Sequence, residues 1–392
     1  MKPSAVGTPL PTPAQPDLSW SERWFAQRNR WLASRGFQRW ASGFPMARWL
    51  ARRRARAVFD LVAGFVYSQV LQACVQLDLF EVLAAGPQPL PALAQRFGLT
   101  EDAARRLLAA AVSLQLVEQR PGDRYGLGVL GAPLVGNRGI TAMVEHHAAL
   151  YADLRDPLAL LRGTANRTAL AGYWPYAEAE SRGRSNGVAA NQVAAYSALM
   201  SASQPLVADE ILDACPLAGH RCLLDVGGGE GTFLLAVAER APHLNLMLFD
   251  LPAVAERGRL RFETRGLGSR AQAHGGDFLR DALPLGADIA TLVRVVHDHD
   301  DREVLALLRA VRAALPDDGV LLLAEPMADT PGAEPMGDAY FGFYLLAMGR
   351  GRPRRVAELI ALLAEAGFDR ARLLRNRMPL QTRLLHAHCR KP

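Results

Sequence analysis

A glycine-rich loop between an apolar run and a helix-like run constrains the fold of this chain more than any other feature. The run Arg221-Cys-Leu-Leu leads into Asp225, and four glycines follow within five positions before Phe233-Leu-Leu-Ala-Val-Ala-Glu. This order predicts a buried parallel strand, a tight loop and the start of a helix. Glycine lacks a Cβ, so the backbone of such a loop approaches a ligand closely, and the helix adds free N–H groups there. The stretch therefore predicts a ligand site at the end of the strand.

Strand and helix patterns alternate after this loop, which predicts an α/β domain with a parallel sheet and helices on both faces. Further strands are predicted at 244–249, near 271–274, at 287–296 and at 319–324. Open sheets of this kind bind ligands beyond the carboxyl ends of their strands, so polar residues at those ends are expected to share one site. The residues concerned are Asp225, Asp250, Leu251, Gly276, Asp277, Phe278, Arg294, His297, Asp298 and Glu325.

The glycine spacing separates two kinds of nucleotide loop. Thr232 stands where a G-x-G-x-x-G dinucleotide fingerprint has its third glycine. The order Asp-x-Gly-x-Gly-x-Gly resembles instead the loop of S-adenosylmethionine (SAM) methyltransferases. Asp250, at the end of the second strand, is suited to bind both hydroxyls of a ribose. An acid and an aromatic ring at Asp277 and Phe278 are suited to hydrogen-bond and sandwich an adenine.

His297 is the candidate proton acceptor for methyl transfer. An oxygen attacks the methyl group of a sulfonium in line and loses its proton, and an unperturbed imidazole, with a pKa of about 6.5, accepts a proton at neutral pH. Glu325 is predicted to orient the ring, and Asp298 is a second candidate for that role. The run His297-Asp-His-Asp-Asp resembles a metal cluster, but Asp300 and Asp301 are placed to cap a helix over 302–315, so no metal is predicted.

The region before this domain predicts a mostly helical, winged-helix module. A short helix ends at Gly98, Thr100 is an N-cap, a helix follows over 103–116, and a Pro-Gly-Asp turn joins a hairpin over 117–127. The second helix opens with Glu101 and Asp102, which would repel DNA phosphates, so an architectural role is favoured. At 392 residues the chain exceeds one ordinary domain. The predicted boundaries are 1–56, 57–200 and 201–392.

An aromatic and basic arm precedes the winged helix. Met1 to Pro16 has the composition of a flexible tail. Five of the six tryptophans and ten arginines then follow within 20–56: Trp20, Trp24, Trp31, Trp40 and Trp49, with Arg23, Arg28, Arg30, Arg35, Arg39, Arg48, Arg52, Arg53, Arg54 and Arg56. Trp20, Trp24 and Trp31 share one helical face. Such an arm either lies in a membrane interface or packs between subunits.

Composition limits the cellular setting. No run of 18 apolar residues occurs, so no transmembrane helix is predicted, and no signal peptide is recognised. The four cysteines lack the pair spacing of metal sites, which is typical of a reduced cytoplasmic protein. The segment His386-Ala-His388-Cys389 reads as a terminal strand rather than a metal site. We therefore expect a cytoplasmic protein with peripheral membrane contact through residues 20–56.

The second domain resembles the plant-type small-molecule O-methyltransferase family, which includes caffeate- and acetylserotonin-type enzymes. The motifs that carry the resemblance are Asp225-Val-Gly-Gly-Gly-Glu-Gly, Phe249-Asp-Leu-Pro, Gly275-Gly-Asp-Phe, Val295-Val-His-Asp and Ala366-Gly-Phe. The resemblance implies a Rossmann-like SAM domain, a winged-helix domain that forms a homodimer, and SAM as cofactor. It also implies a SAM site that includes Gly227, Gly228, Gly229, Asp250, Asp277 and Phe278, with His297 as proton acceptor and Glu325 as its partner.

Three positions depart from the family pattern. His299 replaces the tryptophan that follows His-Asp. Val293 stands where plant members have a lysine, and Arg294 matches another branch of the family. Pro353 takes the place of the second acid that flanks the base in plant enzymes. A phenol site like that of the plant enzymes is therefore in question.

Within the family, the chain looks most like the bacterial O-methyltransferases of carotenoid biosynthesis that act on hydroxyneurosporene-type substrates. The arm and Phe65-Val-Tyr-Ser-Gln-Val-Leu suggest this. The resemblance implies a hydrophobic carotenoid substrate and a tertiary alcohol as nucleophile. Candidate lining residues of an apolar pocket are His146, His147, Tyr173, Trp174, Tyr340, Phe341, Phe343, Tyr344 and Met348.

Two alternatives remain open from sequence. The same site would serve a phenolic or polyketide substrate. A winged-helix regulator with a vestigial SAM fold is the other alternative, and it predicts sequence-specific DNA binding without SAM binding.

Overall fold

The computed structural model describes residues 19–173, 204–205, 207–380 and 382–391. Internal contacts divide the chain into two compact units, Met1–Leu71 and Gln72–Pro392. The predicted tail and Trp174 lie outside the described residues, and so does the stretch 189–200, where the sequence predicts a helix that connects to the second domain. The domain boundaries predicted at 56 and 200 stay predictions.

From residue 19 onward, the first unit contains three helices: α1 (Trp20–Ala33), α2 (Arg35–Gly43) and α3 (Pro45–Gln76), the last of which continues into the second unit. The Ser19 and Glu22 side chains form a capping box at the start of α1. Ser34 ends α1, and its hydroxyl accepts a hydrogen bond from Phe37 N at the start of α2. Two short helices linked by a serine cap, together with the start of α3, thus carry the aromatic and basic arm.

The mostly apolar run from Ala57 to about Leu79 predicts a buried helix, and this prediction is wrong for the first half of the run. The helix begins at Pro45, and its apolar side chains from Val58 to Val66 are exposed, with Phe65 at 70%. Burial begins only at Gln72, where the second unit starts. By length and composition alone, α3 could cross a membrane, although Asp60 interrupts its apolar run.

The winged-helix prediction is confirmed at the start of the second unit. Gly98 ends one helix at φ +64°, and the Thr100 hydroxyl accepts a hydrogen bond from Ala103 N at 3.2 Å. The following helix ends at Ser113, before the predicted end, because Gln115 turns the chain at φ +59°. The elements are α4 (Leu79–Ala84), β1 (Gln88–Pro89), α5 (Leu90–Phe97), α6 (Glu101–Ser113), β2 (Val117–Arg120) and β3 (Arg124–Leu127), with sheet order β1-β3-β2.

Three helices follow the wing: α7 (Arg138–Asp153), α8 (Pro157–Leu161) and α9 (Ala169–Tyr173). They form one apolar cluster with a helix of the α/β domain, in which Leu150, Leu160 and Leu170 pack with Tyr344 and Leu345. This packing brings α7 to the edge of the predicted site.

A seven-stranded sheet forms the rest of the unit, in the order β6-β5-β4-β7-β8-β10-β9. The strands from β4 to β8 pair in parallel, and β10 runs antiparallel to both β8 and β9. The strands are β4 (Cys222–Val226), β5 (Asn245–Asp250), β6 (Ala271–Gly275), β7 (Ile289–Val293), β8 (Val320–Glu325), β9 (Phe368–Leu374) and β10 (Arg383–Cys389). The α-helices that follow β4 are α10 (Thr232–Arg240), α11 (Pro252–Thr264), α12 (Asp301–Ala314), α13 (Gly342–Met348) and α14 (Val356–Glu365).

Two apolar cores cover the two faces of this sheet. Adjacent residues of β4 divide between them, because strand side chains alternate in direction: Leu223 packs with Phe233 and Phe262, and Leu224 packs with Leu292 and Leu308. Helices on both faces leave the carboxyl ends of the parallel strands open at one edge, as predicted. The predicted site residues lie there.

Candidate active site

The glycine loop after β4 packs closely against side chains of the sheet. Gly227, Gly229 and Gly231 have φ values of +69°, +60° and +76°, a region that favours glycine. At Gly228 a Cβ would lie 2.3 Å from Asp225 Oδ2 and 2.6 Å from Leu248 Cδ1. Only glycine fits that position, so the close approach inferred from the sequence is a property of the fold.

Asp225 lies beneath this loop. Its side chain is completely buried, and Oδ1 accepts a hydrogen bond from Thr291 Oγ1 at 2.7 Å. Burial raises the pKa of its carboxyl to about 7. Oδ2 is buried without a partner among the described residues. Such an acceptor, next to a loop that tolerates no Cβ, fits a site built to hold a polar cofactor.

Asp250 joins the loop to the end of β5. Its Oδ2 accepts a hydrogen bond from Gly229 N at 2.8 Å, and its Oδ1 accepts one from Leu251 N at 2.8 Å. The predicted ribose-binding acid and the glycine loop therefore form one continuous surface.

The end of β6 extends this surface. Gly276 N donates to Asp250 O at 3.0 Å, and a Cβ at Gly276 would lie 2.6 Å from Phe249 Cζ. Asp277 Oδ1 accepts a hydrogen bond from Leu279 N at 2.9 Å, which shapes the turn. The half-buried ring of Phe278 meets the ring of His299 edge-on, with centroids 5.3 Å apart. His299, at the tryptophan position of the family, therefore packs against the predicted adenine site.

His297 lies between two carboxylates in a 3₁₀ turn, Val296–Asp298, that follows β7. Its Nδ1 is 2.6 Å from Glu325 Oε2, and its Nε2 is 3.2 Å from Asp298 Oδ1. The other oxygen of Glu325 accepts from the backbone N–H groups of Val295 and Val296, at 2.9 and 2.6 Å. One carboxylate thus fixes both the turn and the ring, and Nε2 is the nitrogen on the side opposite Glu325.

The pKa of His297 is raised. Burial by itself would lower it, but the carboxylates of Asp298 and Glu325 together outweigh burial, and Arg294 lowers it only in part. Burial also raises the pKa of Asp298. Arg294 has a left-handed backbone at φ +59° directly after β7, and its N–H donates to Ala324 O at 2.8 Å. Strained backbone of this kind is concentrated at functional sites.

An aromatic wall adjoins His297. The ring of Phe341 meets the ring of His297 edge-on at 5.9 Å. Behind it, His146 Nε2 lies 2.9 Å from the Tyr344 hydroxyl, and His147 Nε2 lies 2.6 Å from the Tyr340 hydroxyl. Phe341 ends a π-helical turn, Pro335–Phe341, a feature that is frequent at functional sites. Two segments predicted to line a pocket, one on α7 and one around α13, therefore meet beside His297.

The wall is uncharged at neutral pH. Burial lowers the pKa of His146 to about 4 and lowers that of His147 as well, and burial raises the pKa of Tyr340 to about 12. Met348 is buried in the same cluster, and Phe343 is half-buried. Of the other predicted lining residues, the Tyr173 side chain and Trp174 lie outside the described part of the chain.

Arg354, which was not predicted from the sequence, contacts the turn that carries His297. Its guanidinium is buried and donates to Val296 O at 2.8 Å and to His299 O at 2.6 Å. Arginine is ordinarily exposed, so nothing in the sequence marked this one as structural.

The acids after His299 cap a helix, as predicted for Asp300, which is the N-cap of α12 and forms a capping box with Glu303. Within the described residues, no group of three or more metal-ligating side chains occurs.

A doubly wound sheet with a glycine cradle, a ribose-position acid and a buried histidine defines the class of nucleotide-cofactor-dependent group-transfer enzymes. Family models narrow the class. Residues 152–369 match an O-methyltransferase domain, and residues 59–136 match an O-methyltransferase dimerisation domain. The chain belongs to the family of SAM-dependent O-methyltransferases. Its dimerisation domain indicates a homodimer.

Individual relatives agree with the family. The chain is 43% identical to demethylspheroidene O-methyltransferase of Cereibacter sphaeroides over 88% of this chain and 89% of that protein. It is 33% identical to acetylserotonin O-methyltransferase of Mus musculus over 83% of this chain and 87% of that protein. The solved mitomycin 7-O-methyltransferase superposes with a TM-score of 0.69 at 25% identity, covering 87% of this chain and 99% of that one. The predicted family is confirmed, and its similar members include both the acetylserotonin-type enzymes and the bacterial demethylspheroidene-type enzymes that the sequence resembles.

Proposed function

We propose that this enzyme transfers the methyl group of SAM to the hydroxyl of a hydroxylated carotenoid, with His297 as proton acceptor. The observation that carries the substrate proposal is the 43% identity to a demethylspheroidene O-methyltransferase across nearly the whole chain. The uncharged aromatic wall beside His297 supports it, because a polyene offers apolar surface and no charge to pair with.

The residues divide the chemistry among themselves. Bound SAM supplies an electrophilic methyl group; the glycine loop, Asp250, Asp277 and Phe278 are the groups that would hold it. His297 receives the proton of the substrate hydroxyl at Nε2, while Glu325 holds Nδ1–H and stabilises the imidazolium that forms. A tertiary alcohol is far too weak an acid for an imidazole to ionise in advance. Proton removal therefore accompanies methyl transfer, and alignment in a water-poor pocket supplies much of the rate.

The same geometry disfavours a plant-like phenol site. Pro353 occupies the place of the second acid, and Phe341 covers the His297 ring. A phenolic substrate would therefore have one carboxylate fewer near its oxygen here than in a plant enzyme.

Purified protein tests the substrate proposal directly. We expect methyl transfer from SAM to a hydroxylated carotenoid carried in liposomes, detected by mass spectrometry, and little transfer to caffeate. Exclusive methylation of caffeate would contradict the carotenoid proposal. His297→Asn is expected to lower kcat by about 10²–10⁴-fold with SAM affinity nearly unchanged. Comparable turnover by that variant would exclude His297 as the base.

We also propose that the arm over residues 20–56 lies on an anionic membrane surface, which makes this a peripheral protein of a cytoplasmic membrane face. All five tryptophans of the arm are more than half exposed, from Trp24 at 52% to Trp20 at 83%. Arg28 lies over the rings of Trp24 and Phe25, and Arg53 lies over Trp49. Residues 19–59 contain ten arginines and a single acidic residue, Glu22. Exposed indoles with guanidinium groups suit a headgroup layer, where a basic residue contributes about 1 kcal/mol.

Vesicle flotation separates membrane binding from subunit packing. The protein is expected to float with phosphatidylglycerol vesicles at low salt, and less with phosphatidylcholine vesicles. Replacing Trp20, Trp24 and Trp49 together by alanine is expected to abolish flotation while the dimer persists in light scattering. If flotation is unchanged and the dimer dissociates, the arm packs between subunits instead.

A further inference from the structure

One segment, Gly351-Arg-Pro-Arg354, donates hydrogen bonds to three backbone carbonyl groups of the turn over 296–299, which carries His297. Arg354 Nη1 donates to Val296 O at 2.8 Å, and Arg354 Nη2 donates to His299 O at 2.6 Å. Between these two bonds, Arg352 N donates to His297 O at 2.9 Å. These hydrogen bonds therefore fix the backbone at His297 and on both sides of it, and the segment 351–354 is called the clamp below.

Arg354 is built into this position. It is 2% exposed, and its Nε donates to Asp301 Oδ1 at 2.8 Å, so all three nitrogens of its guanidinium are engaged. A planar fork with fixed donor directions is needed to reach two carbonyls and a carboxylate at once. Lysine carries the same charge on a single flexible nitrogen and cannot reproduce the three bonds.

The same segment touches the turn directly. Gly351 has φ +78°, and a Cβ there would lie 2.3 Å from His297 O. Pro353, at the position where plant relatives carry an acid, lies between the two clamping residues. The segment therefore contributes no carboxylate to the site and contacts the turn mainly through backbone and Arg354.

The clamp also follows the aromatic wall in the chain. Phe341 packs on the His297 ring, α13 runs from Gly342 to Met348, and Gly349 ends it at φ +86° just before the clamp. One continuous stretch thus contacts the ring of the base from one side and its backbone from the other.

We propose that Arg354 is a positioning residue for methyl transfer, which holds the 296–299 turn so that His297 stays between Glu325 and Asp298. The proposal rests on His297 as the proton acceptor. A displacement of about 1 Å at a reacting group is able to cost about 10²-fold in rate. Loss of the clamp therefore lowers kcat more than it lowers binding.

Arg354→Lys in the full-length enzyme tests the proposal, and Arg270→Lys is its matched control. Arg270 also holds two backbone carbonyls, Leu244 O at 2.9 Å and Ala238 O at 2.8 Å, but it lies before β6, away from the turn. We expect Arg354→Lys to lower kcat about 10- to 100-fold, with KM and SAM affinity changed by less than about threefold. The acidic limb of its pH–kcat profile is expected to move, because the three charged neighbours of the imidazole, Glu325, Asp298 and Arg294, no longer meet it in the same geometry.

A purely structural role for Arg354 predicts a different pattern. In that case both variants melt at a lower temperature, and each keeps its kcat and pH profile once folded; this result overturns the proposal. If Arg354→Lys does not fold, Asp301→Ala decides, because Asp301 is half-exposed and its replacement by alanine removes the acceptor of the bond from Arg354 Nε. A several-fold lower kcat with a shifted profile supports the clamp, and an unchanged profile overturns it. Full activity in His297→Asn would instead refute the proposed base, independently of the clamp.

Discussion

The two ends of the site, both at the carboxyl edge of one sheet, are built in different ways. At the cofactor end, backbone atoms and glycines of consecutive strand–loop–helix units meet, as in the bond from Gly229 N to Asp250 Oδ2. At the base end, His297 is held by groups from distant parts of the chain: Glu325 on β8, Phe341 before α13 and Arg354 after it. The cofactor end is specified by local motifs, whereas the base end depends on packing between them.

This contrast has a consequence for mutation. A defect at the cofactor end is expected to change affinity for SAM first, because the affected atoms line a cradle. A defect at the base end is expected to change the rate first, because the affected atoms orient one ring. Single substitutions at either end separate the two effects.

The largest effect is expected from Glu325→Gln. If the Gln oxygen accepts the N–H groups of Val295 and Val296, its NH₂ donates to His297 Nδ1 and forces the proton onto Nε2, where it blocks acceptance of the substrate proton. We expect kcat to fall by about 10²–10⁴-fold with SAM affinity retained. Because the Glu325 carboxylate raises the pKa of His297, its loss lowers that pKa and moves the acidic limb of the pH–kcat profile to lower pH.

Steady-state kinetics between pH 5 and 9 and SAM titration calorimetry measure both quantities. Glu365→Gln, which removes the charge of an exposed partner of Arg309, is the control and is expected to behave like the wild type. An unchanged pH–kcat profile with weakened SAM binding would place Glu325 at the cofactor end and contradict the assignment of Glu325 to the base end.

A smaller effect is expected from Gly228→Ala at the cofactor end. Its Cβ would overlap Asp225 Oδ2 and Leu248 Cδ1, so the loop must shift. We expect the free energy of unfolding to fall by about 1–3 kcal/mol and SAM affinity to fall at least about tenfold. Gly319→Ala, whose Cβ would lie 2.8 Å from Leu315 Cβ at the opposite end of β8, is the control. It is expected to lose stability without losing affinity, as measured by denaturant unfolding and calorimetry; equal affinity losses would contradict the cradle.

The smallest effect is expected from His299→Ala, at the boundary between the two ends. The variant loses the edge-to-face contact with Phe278, which is worth about 0.5–1.5 kcal/mol. SAM affinity is therefore expected to fall by about 2- to 10-fold, with kcat at saturating SAM nearly unchanged. A fall in kcat at constant affinity would show that His299 acts through its neighbour Asp298 and belongs to the base end.

Some parts of the fold were predictable from the sequence because they depend on neighbouring residues. The cap at Thr100, the turn at Gly122 and the strand that ends at Asp250 all follow local rules. Other parts were not. The strand predicted through 296 ends at Val293, because Arg294 adopts a left-handed backbone and the chain turns to present His297 to Glu325. The exposed half of α3 was predicted to be buried, because an apolar run does not reveal whether its own chain or a second copy covers it.

The family and the order of the cofactor motifs were predictable from the sequence, since glycine spacing and strand-end acids act over a few residues. The packing around His297 became visible only in the three-dimensional structure. The pairing of His297 with Glu325 was predicted from the strand ends. The approach of His146 and His147 to Tyr344 and Tyr340, and the bonds of Arg354 to the turn that carries His297, were not, and they join segments up to nearly 200 positions apart. Side-chain contacts at such separations arise from the packing of elements in three dimensions, and no local pattern encodes them.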